Sequence, residues 1–164
     1  PRILEAAGAS ATEAIAGAAL IGPSQVAARL IEAGFLSRFH PLVSARLAMS
    51  MHPLGAGVVA IAGGGLVASA FAVMHGLGNG VITIARGTVP MALFGPQNYG
   101  YRLGLIGAPA RILQAGAPLV FALLIDRFGA GVLVVSSALS VAALLALCLL
   151  QVPRPQPEAR SEVT

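Results

Sequence analysis

The sequence predicts an all-α membrane protein of about five transmembrane helices, and three observations carry that fold class. The 164 residues are 57% hydrophobic while only 10% are charged, against roughly 25% charged in a soluble domain. The apolar residues fall in long uncharged runs; none carries a formal charge between Arg46 and Arg86, about the length of two membrane crossings. Gly, Pro and Arg stand at the ends of those runs, where turns and lipid interfaces put them. A helix-rich soluble core is excluded because so few polar residues could not give it a wettable outside.

The formal charge of +4 comes from arginine alone, since the chain has no lysine. Nucleic-acid binding would gather those arginines with aromatics on a polar surface, and here they stand singly at run ends, so no nucleic-acid partner is expected. The lone Cys148 excludes an internal disulfide and a multi-cysteine metal site, and reads as a small hydrophobe. The start PRILEAAGAS lacks the basic-then-apolar layout of a signal peptide, and the expectation is the C-terminal part of a longer chain.

In order, residues 1–10 read as a short loop. Ser10 with Glu13 forms a capping box, so a first long helix starts near Ala11 and runs to about Ala33, bent near Pro23. A polar link over residues 34–40 leads to Pro41, which suits the first turn of the second helix. His52-Pro53 predicts a kink inside that helix. Gly63, Gly64 and Gly65 mark a tight hairpin turn, because glycine tolerates the required dihedrals.

The third helix carries the most patterned polarity. At about 100° per residue, His75, Asn79, Thr83 and Arg86 fall within roughly 80° of arc, beside a stripe of Gly76, Gly80 and Gly87. Small residues admit a neighbouring helix closely, and polar side chains at this depth must face protein or water, so one side of this helix faces inward. Residues 88–98, with Pro90 and Pro96, read as a connection. The fourth helix, about 98–125, is interrupted by Pro109 and Pro118 and closed by Gly129, with Gly104, Gly107, Arg111, Gln114 and Pro118 in one sector. The fifth, 131–151, holds almost nothing polar but Ser136, Ser137 and Ser140, which can bond back to their own backbone and let it face lipid. The bundle domain spans 1–152, and the proline-rich tail 153–164 reads as disordered and cytoplasmic. The links at 34–40 and 88–98 and the tail collect most arginines, which by the positive-inside rule puts them in the cytoplasm.

The paired helices with a glycine-lined span, together with GPSQVAARLIEAGF (residues 22–35) and RGTVPMALFGPQNYGYR (residues 86–102), resemble the C-terminal half of a bacterial major facilitator superfamily transporter. The resemblance implies helices eight to twelve of a twelve-helix fold, a bacterial inner-membrane location, and a missing N-terminal half as partner. It implies alternating access by a secondary transporter, with proton coupling as an option. Helices eight, ten and eleven would line the cavity, and nine and twelve would lie outside. Arg29, Glu32, Gly34 and Arg38 echo a cytoplasmic loop signature, at a spacing that departs from the full pattern.

The candidate substrate-binding residues are His75, Asn79, Thr83, Arg111, Gln114 and Gln25. His75 serves either as a substrate or proton ligand or as a packing histidine bonded to a neighbouring backbone. Arg111, about 15 Å into its helix, has no acid at comparable depth, so its partner is a backbone carbonyl, an anionic small-molecule substrate or an acid of the missing half. Gln25 and Gln114 contact substrate or another helix. Arg29 and Arg86 are interfacial anchors. GLGNG (residues 76–80) lacks the strand and lysine of a nucleotide loop. No paired carboxylate, metal cluster or activated serine is recognisable, so no enzymatic activity, cofactor or metal is expected. The alternative from another class is a non-transporting membrane interaction protein, whose polar sectors would pair with each other and leave no aqueous cavity.

Overall fold

The computed structural model describes residues 2–62 and 64–151. Among the described residues seven α-helices follow one another and no strand occurs: α1 (Arg2–Ala6), α2 (Ala11–Ala19), α3 (Ile21–Gly34), α4 (Pro41–Ala62), α5 (Gly65–Phe94), α6 (Tyr99–Phe128) and α7 (Val132–Leu149). Short 3-10 turns at Leu36–Arg38 and Gly129–Gly131 join α3 to α4 and α6 to α7. Four helical stretches are long and apolar enough to cross a membrane: Ala11–Arg38, Pro41–Ala62, Gly65–Phe94 and Tyr99–Leu149. The last is 51 residues long because α6 and α7 are separated by only one tight turn. The tail 153–164 lies outside the described residues.

Several local signals hold. Ser10 caps α2 by the reciprocal arrangement its spacing implies: the Glu13 N–H donates to Ser10 Oγ at 3.3 Å, and the Ser10 N–H donates to the Glu13 carboxylate at 2.8 Å. Pro41 opens α4. The α4–α5 hairpin turns where glycines cluster, with Gly64 at φ +86°. Gly129, at φ +54°, ends α6 and donates its N–H to the Ile125 carbonyl.

Four expectations are corrected. Residues 1–10 are not a loop throughout: Arg2–Ala6 is helical, because buried Leu4 joins a core cluster with Ala14, Phe71 and Leu133. The first long helix breaks at Leu20 rather than bending at Pro23. A proline ring collides with the carbonyl four residues before it, so the chain deviates at Ala19–Leu20, and Pro23 falls in the first turn of α3. Residues 88–94 belong to α5, which runs through Pro90; the true connection is residues 95–98, with Gly95 at φ +71° and Asn98 at φ +52°. Pro109 and Pro118 lie inside an uninterrupted α6. Prolines are tolerated within apolar helices where nearby groups take up the freed carbonyls. Within one turn of Pro90 the Tyr99 hydroxyl donates to the Gly87 carbonyl at 3.1 Å, tying the start of α6 to α5.

The central helix is α5. A Cβ on Gly76 would sit 2.8 Å from the Ile21 carbonyl oxygen, and one on Gly80 would sit 2.6 Å from that of Gln25, so α3 packs against this stripe with its backbone. On another side of α5, a Cβ on Gly78 would sit 2.7 Å from the Ala48 carbonyl oxygen of α4. The glycines of GLGNG are thus packing devices that let α5 be clasped between α3 and α4 at close range. Residue order along these contacts makes α3 parallel to α5 and α4 antiparallel to both. Helix α7 returns along α4: the Arg46 guanidinium donates to the carbonyls of Leu147, at 3.1 and 3.2 Å, and Leu150, at 2.8 Å, while His52 faces Ser136. At the opposite end Arg2 pairs with Asp126 at 2.5 Å. The passes therefore alternate in direction, so the 51-residue stretch folds back on itself.

Helix α6 stands apart. None of its residues is buried, and Leu105, Ile112, Leu113 and Leu119 are each more than 60% exposed. A methyl group on Gly104 or Gly116 would meet nothing within 4 Å, so unlike those of α5 these glycines make no helix contact.

Candidate functional site

The inward faces of α5 and α6 border two adjoining cavities. The first, about 550 Å³, is walled mainly by α4, α5 and α7 and carries His52, His75, Asn79, Arg86, Ser136 and Ser140 among apolar side chains that include Phe71, Phe121 and Leu133. The second, about 600 Å³, lies between α5 and α6 and carries Thr83, Arg86, Gly107, Arg111 and Gln114. Ile82 and Arg86 line both. The arc of polar residues on α5 is therefore divided: its first half faces the α4/α7 side, its second half faces α6, and Arg86 stands at the boundary.

The two histidines of the first cavity meet. His52 Nδ1 and His75 Nδ1 are 3.1 Å apart, and His52 Nε2 is 2.8 Å from Ser136 Oγ. Phe71 holds the pair from one side, stacked at 24° on His75 and edge-on to His52. Three helices are thus joined through α4. His75 is bonded to another imidazole rather than to a backbone carbonyl, which differs from the packing histidine set out as its alternative. Asn79 lies one helical turn beyond His75 along the same wall.

In the second cavity the Thr83 hydroxyl donates back to the Asn79 carbonyl at 2.7 Å, the usual way a threonine satisfies itself in an apolar helix. Arg111 and Gln114 project from α6 across from Arg86. Among the described residues the one ion pair joins Arg2 and Asp126, so the two guanidiniums at this cavity have no carboxylate partner within it. The expected sector of α6 holds for Gly107, Arg111 and Gln114, while Gly104 and Pro118 line neither cavity. Cationic groups facing an apolar-walled space without a counter-charge favour anions.

Two placements differ from expectation. Gln25 lines neither cavity; its backbone forms the seat for Gly80, so its position serves the α3–α5 contact. The fifth long helix is not uniformly lipid-facing, since Ser136 belongs to the histidine cluster and Val132 and Leu133 are buried. His52 and Ser136 are the cavity-lining polar positions that residue-by-residue reading missed. A signal existed, as each is a polar interruption in an apolar helix, but which of them meet depends on how α4, α5 and α7 are arranged.

A buried acid lies apart from both cavities. Glu32, 6% exposed near the end of α3, has its Oε2 without a hydrogen-bond partner, and no arginine of the loop signature pairs with it.

No family model, curated protein or solved structure matches the chain.

Proposed function

We propose that the chain is part of a secondary transporter, with the two adjoining cavities forming its share of a solute pathway. The single observation that supports this most is that Thr83 and Arg86 of α5 and Arg111 and Gln114 of α6 gather around one space of about 600 Å³ with no carboxylate among them. A sealed packing interface would bring such groups into contact with each other. A space lined by them on apolar walls suits a small solute, and an anionic one best. The glycine-clasped α3–α4–α5 unit serves as a rigid body, and the sparsely packed α6 is the element free to meet another bundle. In this reading the exposed face of α6 is covered by the N-terminal half of the same transporter, of the major facilitator type.

The arginine distribution orients the chain, with the end that holds Arg38, Arg46 and Arg102 in the cytoplasm of a bacterial cell and the Arg2–Asp126 end outside. Capping of helix C-termini by Arg46 and Arg102 at that end suits cations at the negative poles of helix dipoles.

Cysteine accessibility tests the aqueous pathway. In a Cys148→Ala background, single cysteines at Asn79 and Thr83 should react with a membrane-impermeant thiosulfonate, and a cysteine at Ile112 on the outer face of α6 should react far more slowly. Protection of both cavity positions from either side of the membrane would favour the non-transporting interaction protein instead.

A further inference from the structure

One tautomer arrangement gives the histidine cluster a direction of donation, and that direction suits one class of ligand. The Ser136 hydroxyl can give its single proton to the Leu133 carbonyl, 3.2 Å away. In that arrangement Ser136 Oγ accepts from His52 Nε2–H at 2.8 Å. A neutral imidazole protonated on Nε2 has a bare Nδ1, so His52 Nδ1 accepts, and the proton in the 3.1 Å contact belongs to His75 Nδ1. His75 Nε2 is left with an unprotonated lone pair. Among the described residues it has no hydrogen-bond partner, and His75 lines the cavity. A chain running from one backbone carbonyl through three helices thus ends in an acceptor on a residue that lines the cavity.

The rest of the cavity supplies the other ligand features. Its walls are mostly apolar, with Phe71 and Phe121 among them, and its far side is bounded by the uncompensated Arg86. From His75 to Arg86 the helix rises about 16 Å, and the arginine side chain leans toward the helix N-terminus, which shortens the gap. The geometry points to an apolar organic acid as the occupant, its acidic group at Arg86 and a hydrogen-bond donor on its far end at His75 Nε2. This rests on the solute-pathway reading above and specifies the ligand class of that pathway. The same chemistry is presented by a hydroxylated aryl carboxylate from solution and by a hydroxy fatty acid from the bilayer.

The experiment is equilibrium binding to the full chain in phosphatidylcholine nanodiscs, with empty nanodiscs subtracted, using 4-hydroxycinnamate, cinnamate and methyl 4-hydroxycinnamate. The hydroxyl should tighten binding about three- to tenfold over cinnamate, the range of one neutral hydrogen bond. The ester should bind more weakly than the acid, and Arg86→Gln should erase that difference. His75→Phe, which keeps the ring stack, should equalise the hydroxylated and plain acids. If that variant misfolds, Ser136→Ala carries the test: with the chain of donors released, the hydroxyl preference should shrink toward unity. Selective binding of 12-hydroxystearate over stearate, with no aryl acid bound, supports the same site with the bilayer as its source. Equal affinity for hydroxylated and plain acids in both families, or a preference that survives His75→Phe, overturns the inference. Its failure is separable from that of the pathway reading: thiol-reactive cavity positions with no hydroxyl preference sink only the ligand class, whereas protected positions sink the pathway.

Discussion

Arg46, in the second turn of α4, donates from two guanidinium nitrogens to the carbonyl of Leu147, 101 residues later, near the end of α7. A third bond reaches the Leu150 carbonyl. The last carbonyls of a helix have no partner within it, so a cationic side chain from a neighbouring helix is an effective cap. Arg46→Gln should therefore loosen the α7 end and lower stability by about 1.5–3 kcal/mol, the range for hydrogen bonds to a charged donor. Arg46→Lys, which cannot span both carbonyls with a fixed fork, should fall between the two. Unfolding of the detergent-solubilised protein, followed by helical circular dichroism, checks the order of the three proteins.

The glycines of α5 and α6 should separate into two groups. Gly78→Ala and Gly80→Ala would each drive a methyl to within 2.7 Å of a neighbouring helix's backbone, which cannot move aside as a side chain can. Each should cost about 1–3 kcal/mol. Gly104→Ala and Gly116→Ala meet nothing within 4 Å and should be neutral or slightly stabilising. The same unfolding measurement, applied to all four, would contradict the clasped-helix packing if the groups overlapped.

His52 and Ser136 should be energetically coupled across α4 and α7. In a double-mutant cycle of His52→Phe and Ser136→Ala, the coupling should be about 0.5–1.5 kcal/mol, one hydrogen bond's worth. Additive effects would mean that the 2.8 Å contact contributes nothing.

Glu32 should be a site where stability can be gained. Its buried Oε2 has no partner, an arrangement that costs about 1–3 kcal/mol, and Glu32→Met fills similar space without the orphaned oxygen. A higher midpoint for the methionine variant is the expected outcome. A lower one would show that the carboxylate makes a compensating interaction in the membrane.

How legible all this was varied by the range of the interaction responsible. The Ser10/Glu13 cap, Pro41 at the start of α4, the turn before α5 and Gly129 after α6 are settled within a few residues, and local chemistry located each of them. The proline-bearing segments were misjudged because local rules treat Pro90, Pro109 and Pro118 as breaks. At Pro90 the Tyr99 hydroxyl reaches back to the same turn of α5, a contact across the connection that no window around the proline contains.

The site divides in the same way. Helical periodicity put His75, Asn79, Thr83 and Arg86 on one arc of α5 and Arg111 and Gln114 on one arc of α6, and all six line the two cavities. The amino-acid order alone therefore determined that this is a helical chain built for lipid, and which residues of α5 and α6 avoid that lipid, because hydropathy and a repeat of about 3.6 residues act along the chain. Tertiary structure alone decided that His52 meets His75, that Ser136 joins them, and that Gln25 serves packing. Those outcomes depend on how close the helices can approach, and that was decided by backbone-to-backbone contact at Gly76, Gly78 and Gly80, where the absence of a side chain acts only through the neighbour it admits.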